Sequence, residues 1–294
     1  MNFSEQGGIT GSTRILGIIG WPVEHSLSPF MQNAALRQLG LDWVYVPFPV
    51  APELLGQAVA GLRALNVAGF NVTIPHKSSI IPYLDALSPE ASLIGAVNTV
   101  KREEDRLVGY NTDCTGFISS LRRDLGLEPE GARVVVVGAG GAARAAVTGL
   151  CQESVSSLLL VNRTEERGEE LIRRVRTEFP HIQLRSASLR SLQDGDVLAS
   201  ADLIVNTTSI GMGGSSFSGF DLSSMKSGGG VYDMVYVPAE TPLLAAARGL
   251  GLKTANGLGM LAAQGEAALR LWTGAEIPAD CMKKALLSML DGGY

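Results

Sequence analysis

A chain of 294 residues exceeds what one hydrophobic core ordinarily serves, so two domains or one large α/β domain are expected. Its residues are 46% hydrophobic, 18% charged and 6% aromatic, which is the balance of a globular enzyme and excludes a disordered or fibrous chain. A formal net charge of −5 excludes the broad basic surface that neutralises nucleic-acid phosphates, so any anionic ligand must be held by local groups.

Residues 1–12 are polar, with neither a basic nor an apolar region of a signal peptide, and read as a loose tail. Apolar runs at 14–19, 43–48 and 69–74 are expected strands. Between the first two, Ser28 and Pro29 stand where an N-cap and first helical residue belong, Phe30, Ala34 and Leu39 follow at helical spacing, and Gly40 ends the pattern. Residues 52–65 repeat it, and the alternation predicts an α/β layer structure. Residues 97–101 and 107–110 flank a charged stretch and predict a hairpin at a sheet edge. A helix is expected over 112–125, capped at Gly126.

After a turn-rich linker at 128–131 the pattern restarts, with short apolar runs at 134–137, 158–161, 182–184, 203–205 and 231–235 separated by helical segments such as 165–179. That is the signature of a doubly wound parallel sheet. Residues 211–219 form a Gly/Ser-rich loop, the best candidate for mobility. No run is long enough to span a bilayer. Cys114, Cys151 and Cys281 are widely spaced, which suits a reducing compartment, read here as the cytoplasm. No His, Cys and carboxylate cluster has ligand spacing, so no metal is expected.

The stretch Val134-Val-Val-Val-Gly138-Ala139-Gly140-Gly141-Ala142-Ala143-Arg144 places a Gly-x-Gly-x-x-Ala between a buried strand and a helix. Gly138 permits the tight turn, Gly140 lets backbone approach a pyrophosphate, and Ala143 lets helix and strand pack closely. The helix start supplies unpaired N–H groups and positive potential. Where an NAD site carries an acid at the end of the second strand, this chain has Asn162, Arg163 and Thr164, followed by Arg167. Guanidinium groups there suit a 2′-phosphate, so the expected cofactor is NADP(H).

Asn71-Val-Thr73-Ile-Pro-His76-Lys77 closes a first-half strand. A hydride delivered to a carbonyl carbon leaves an alkoxide, and an ammonium such as that of Lys77 offers it both charge and a proton. Asp113, after a predicted strand, is the best carboxylate partner.

Ser26-Leu-Ser28-Pro, Asn71 to Lys77, Ala96-Val-Asn98-Thr, Gly109-Tyr-Asn-Thr-Asp113, the glycine turn and Asn162-Arg-Thr164 together resemble the shikimate dehydrogenase family. So do Asn206-Thr207-Thr-Ser-Ile-Gly-Met, Tyr232-Asp-Met234-Val-Tyr236 and Gly257-Leu-Gly-Met-Leu-Ala-Ala-Gln264, the match running over about 15–272. The resemblance implies reversible reduction of 3-dehydroshikimate to shikimate, a step of aromatic amino acid and chorismate biosynthesis. It implies that Lys77 and Asp113 form the catalytic pair and that Ser26 and Ser28 bind the carboxylate. Thr73, Asn98, Asp113 and Gln264 would hold ring hydroxyls, with Asn71 also at the substrate and Tyr236 a further contact. For the cofactor it implies Gly138 to Ala142, Asn162, Arg163, Thr164, Arg167, Thr207, Met234 and Gly257. It divides the chain into a substrate domain, 1–113 with 259–294, and a Rossmann-type NADP domain, 114–258.

Asn256 stands where the family often has Asp, and His76 where an aromatic is frequent. His76 offers an alternative proton relay. The rival readings are a quinate/shikimate dehydrogenase that also uses NAD, against which Asn162-Arg-Thr164 argues, and a non-catalytic metabolite sensor, against which intact Lys77 and Asp113 argue. A small-molecule substrate is the expected partner, with no nucleic acid and no membrane, and a homodimer stays open as an assembly.

Overall fold

The computed structural model describes residues 8–291, so the first seven residues of the expected loose tail lie outside the described residues. The end of that tail is not loose: the hydroxyls of Ser12 and Thr13 donate to the two carboxylate oxygens of Asp42, at 2.8 and 2.6 Å. The chain divides into two compact units, Met1–Thr112 with Leu261–Tyr294, and Asp113–Met260. Among the described residues each holds one six-stranded sheet, and none of the described helices is long and apolar enough to cross a membrane.

The first unit runs β1 (Arg14–Gly20), α1 (Ser28–Gln38), β2 (Trp43–Pro49), α2 (Leu55–Ala64), β3 (Gly69–Val72), β4 (Ala86–Leu87), α3 (Pro89–Ile94), β5 (Thr99–Glu103) and β6 (Arg106–Tyr110). The sheet order is β2-β1-β3-β5-β6-β4, with β5 antiparallel to both neighbours and the other pairings parallel. Leu55, Val59 and Leu62 of α2 bury one face against Ile19, Phe70 and Val100, as their i, i+4, i+7 spacing dictates.

Three expectations are corrected here. The hairpin β5–β6 is not at the sheet edge, because β4 pairs with β6 beyond it. Asp85 locks that extra strand on: its N–H donates to Leu107 O (3.0 Å), and its carboxylate accepts from Leu107 N (2.6 Å) and Arg63 Nη2 (2.7 Å). β3 stops at Val72 rather than at residue 74, although Thr73 N–H still donates to Ile19 O (2.9 Å); Pro75 then removes the donor that pairing would need. Ser28 is the first residue of α1 and not its N-cap, which is Leu27. The N–H of Ser28 is taken instead by Ser26 Oγ, at 3.3 Å.

The second unit continues with α4 (Asp113–Ser120), whose last turn widens into a π-helical turn over Leu121–Leu125 before Gly126. Then come β7 (Arg133–Val137), α5 (Gly141–Gln152), β8 (Ser157–Asn162), α6 (Glu165–Glu178), β9 (Gln183–Ser188), α7 (Gly195–Ser200), β10 (Leu203–Asn206), β11 (Ile210–Gly213), β12 (Gly230–Asp233), α8 (Pro242–Gly249) and β13 (Lys253–Asn256). The first three residues of the expected Gly/Ser loop therefore belong to β11. The chain returns to the first unit along α9 (Leu258–Thr273) and ends in α10 (Cys281–Asp291).

In the second sheet all pairings are parallel, in the order β9-β8-β7-β10-β12-β13. Numbered within the sheet, that is 3-2-1-4-5-6, the doubly wound order of dinucleotide-binding folds. The four valines of β7 explain why both faces are covered. Val134 and Val136 face the core made with α4, α5 and α6, while Val135 and Val137 face the one made with α7 and α8. Each such valine contributes roughly 1.5–3 kcal/mol by leaving water. The order reverses between β7 and β10, which opens a crevice at their carboxyl ends.

Candidate active site

In the first sheet the strand directions bring the polar motifs to one edge. Asn71 pairs with Thr99, and Thr99 with Tyr110, so the carboxyl ends of β3 and β6 and the start of β5 form one row. Backbone bonds extend the row: Val72 N–H donates to Asn98 O (2.8 Å) and Asn98 N–H to Tyr110 O (3.1 Å). Lys77 lies just past the end of β3. It is half-buried, and its carbonyl is fixed by the Val97 N–H at 2.7 Å.

The side chains of that row are buried and mutually satisfied. Asn71 Nδ2 donates to the backbone oxygen of Asn98 and to Thr99 Oγ1, both at 3.0 Å. Its Oδ1 accepts from the hydroxyl of Tyr45, a fully buried residue of β2, at 2.6 Å. Asn98 Oδ1 accepts from Thr112 N–H (2.8 Å) and Thr99 Oγ1 (3.0 Å), and its Nδ2 donates to Thr112 Oγ1 (3.0 Å) and Gln264 Oε1 (3.4 Å). Gln264 Nε2 is turned to Leu261 O at 2.8 Å. The structure thus brings together Asn71, Asn98 and Gln264, and adds Tyr45, Thr99 and Thr112. Thr99 and Thr112 were visible inside the motifs. The sign of Tyr45 was a phenol between two valines in an apolar strand, where a buried hydroxyl needs a partner.

Ser28 is buried at the start of α1. Burial pushes the Tyr45 phenol well above its ordinary range, with the Ser28 hydroxyl pulling the other way. No acid occupies the first turn of α1, so its free N–H groups keep their positive potential. Thr73 is half-buried, in space left by the missing side chain of Gly20. His76 is buried with Nε2 at 2.7 Å from Val50 O; a carbonyl only accepts, so Nε2 carries the proton and the ring is a strut.

In the second unit Gly138 follows β7 with φ +112°, a conformation side chains rarely adopt, and a Cβ there would lie 2.5 Å from Thr207 Oγ1. Thr207 is pinned by donating both N–H and hydroxyl to Val137 O, at 2.9 and 2.7 Å. Gly140 caps α5 without a side-chain bond, and nothing lies within 4 Å of the Cβ it lacks. Ala143 is fully buried beneath the helix, as close packing needs. The start of α5 is thus open space lined by unpaired N–H groups, which fits a pyrophosphate.

At the end of β8, Asn162 Nδ2 holds Thr164 O at 2.7 Å, which shapes the turn into α6. Arg163 and Arg167 are exposed, and neither makes an ion pair among the described residues. That leaves two guanidinium groups free to meet a phosphate. Met234 N–H donates to Asn206 O (2.9 Å), and Gly257 passes so close that a Cβ would meet Met234 O at 2.1 Å. Tyr236 is half-buried, its phenol raised by burial. Asn256 Oδ1 accepts from Leu258 N–H at 3.1 Å, a cap that an aspartate supplies equally well.

Asp113 is buried at the first position of α4, directly after the anchored Thr112. Asp233 was missed. It is fully buried and accepts from Asn206 Nδ2 (2.8 Å), Val235 N–H (3.0 Å) and Thr241 Oγ1 (2.6 Å), tying the ends of β10 and β12 to the start of α8. Burial raises its carboxyl above the usual range despite those three donors.

Residues 18–100 match the shikimate dehydrogenase substrate binding domain, 121–211 the shikimate / quinate 5-dehydrogenase family, and 257–287 the shikimate 5'-dehydrogenase C-terminal domain. The shikimate dehydrogenase (NADP(+)) of Geobacter metallireducens is 57% identical over 282 residues, which cover 96% of this chain and 99% of the relative. Among solved structures, the Thermus thermophilus shikimate 5-dehydrogenase in complex with NADP(H) and shikimate is 37% identical with a TM-score of 0.82, covering 94% of this chain and 99% of that one. The Corynebacterium glutamicum quinate dehydrogenase in complex with NAD is 32% identical with a TM-score of 0.86, at the same coverages.

Proposed function

The chain belongs to the shikimate dehydrogenase family, and from that premise we propose that it reduces 3-dehydroshikimate reversibly to shikimate with NADPH. The observation that carries this reading is the row of buried amides and hydroxyls at the carboxyl edge of the first sheet, Asn71, Asn98 and Gln264, beside half-buried Lys77. A small ring bearing hydroxyls and a carboxylate is the substrate such groups recognise, and analogues lacking a hydroxyl would leave them unpaired.

NADP(H), when bound, supplies the hydride; the turn at Gly138 to Ala142, Thr207, Met234 and Gly257 would hold it, with Arg163 and Arg167 on the 2′-phosphate. The steps of this chain's own residues are then few. Ser26 and Ser28, with the start of α1, hold the carboxylate. Thr73, Asn98, Asp113 and Gln264 hold the ring hydroxyls, and Tyr236 adds a contact. Asn71 commits both hydrogens of its amide to the scaffold, so its role toward the ring is through Oδ1 and through the alignment of Asn98. Lys77 Nζ gives its proton to the ring oxygen as the carbonyl carbon becomes tetrahedral, and takes it back in oxidation. A positioned proton donor is worth roughly a hundred- to ten-thousand-fold in rate. Asp113 keeps that ammonium charged and oriented.

Initial rates of NADP reduction with shikimate and with quinate, and of dehydroshikimate reduction with NADPH and NADH, test the proposal. Shikimate with NADP is the expected preferred pair. Preference for quinate with NAD would replace the reading, and no turnover with either acid would end it.

A further inference from the structure

The buried network of the first unit has a direction that its chemistry alone determines. Asn71 Nδ2 faces the Asn98 carbonyl oxygen, which only accepts, so Asn71 presents Oδ1 to Tyr45 and the phenol must be the donor. Thr99 Oγ1 accepts from Asn71 and so donates onward to Asn98 Oδ1. Asn98 Oδ1 also receives the Thr112 N–H, which leaves Asn98 Nδ2 to donate to Gln264 Oε1. Every donor from Tyr45 to Gln264 therefore points the same way, and such chains reinforce one another in a low-dielectric interior. With its own hydrogen spent on Asn71, the phenol oxygen is left only as an acceptor.

We propose that Tyr45 is a positioning residue of the substrate site, its hydroxyl orienting the Asn71–Asn98 amides and, through Asn98, Gln264. Tyr45 itself is suited to this and to no direct contact. It is 1% exposed, and its ring packs 6.1 Å from that of Trp272. Its backbone is clamped to α1 by Asn33, which accepts from Tyr45 N–H (2.9 Å) and donates to Tyr45 O (2.8 Å) and Pro29 O (2.7 Å). The phenol is thereby held at a fixed place against Asn71, so the amides are oriented before a ring arrives, which is how pre-organisation raises affinity.

The inference rests on the proposed reading of the site as one for a hydroxylated ring acid, and the test separates the two. Wild-type turnover of shikimate with NADP tests that reading by itself. Tyr45→Phe, which keeps the ring and removes only the hydroxyl, is then compared with wild type, Asn71→Ala and the double variant by steady-state kinetics and thermal unfolding. The expected result is a rise of about tenfold in KM for shikimate, with KM for NADP unchanged and kcat within about threefold of wild type. The double variant should bind shikimate no more than about twofold worse than Asn71→Ala alone, since the phenol acts through that amide. An unchanged KM for shikimate, effects that multiply in full, equal losses for both ligands, or a Tyr45→Phe protein that does not fold would each overturn the proposal.

Discussion

Two glycines of one turn should respond to the same substitution in opposite ways. In Gly138→Ala the new methyl must sit at φ +112° and 2.5 Å from Thr207 Oγ1, 2.9 Å from Thr208 Cγ2. Backbone strain of this kind costs about 1–3 kcal/mol, and forcing a methyl into a packed place costs a further ~1–3 kcal/mol. Thr207 cannot retreat cheaply, because both its N–H and its hydroxyl are bound to Val137 O. The expected loss is therefore about 2–6 kcal/mol of unfolding free energy. Gly140→Ala meets no atom within 4 Å and keeps an extended cap geometry, φ −83°, ψ −169°. Its stability loss should stay within about 1 kcal/mol, the ordinary difference between cap residues. Its methyl nevertheless enters the space beside the free N–H groups of α5, so KM for NADP should rise at least about tenfold. Denaturant unfolding and cofactor kinetics on both variants decide the matter. A Gly138→Ala protein as stable as wild type would refute the strain at this turn, and a Gly140→Ala protein with ordinary NADP affinity would refute the placement of the pyrophosphate there.

Arg163→Ala should raise KM for NADP about tenfold, the equivalent of ~1.4 kcal/mol, and leave KM for NAD unchanged; equal effects on the two nucleotides would contradict the phosphate assignment. Asp233→Asn should change how stability depends on pH. Burial raises the Asp233 carboxyl above its value in the unfolded chain, so the folded protein binds that proton more tightly. Stability is then lost as pH rises from about 4, the unfolded value, through the folded one. Asparagine keeps the acceptor for Asn206 and Val235 and presents an N–H to Thr241, whose hydroxyl can accept it. The advantage of the variant over wild type in unfolding free energy should therefore grow between about pH 4 and 7. A difference that does not vary over that range would show that Asp233 ionises no less readily than an ordinary carboxyl.

The parts of the fold that were legible in the sequence are those buried on both faces. Strand β7 reads as four consecutive valines because it packs under two helical layers, and the turn after it needs a glycine for its backbone angle. Edge strands carry no such mark. β13 is Lys-Thr-Ala-Asn, and β9 extends to Ser188 through Arg185 and Ser186, since one side of each meets solvent or a loop. β4 is two residues long and exists because Asp85 bonds to β6, a long-range contact with no local pattern. At the site, Asn71, Asn98, Lys77 and Gln264 stood out as polar residues in motifs. Tyr45 did not, because its hydroxyl is explained only by a partner 26 residues after it, Asn71. Ser28 showed the converse: its helix-start position was legible, while the serine that takes up the free N–H is Ser26.

If the Lys77 ammonium delivers the proton that completes ketone reduction, as proposed, steady-state turnover of Lys77→Ala with shikimate and NADP must collapse while substrate binding survives. The predicted result is a kcat lower by roughly a hundred- to ten-thousand-fold with KM for shikimate within a few-fold of wild type. A variant that keeps kcat within about tenfold of wild type would contradict it and hand the proton to another group.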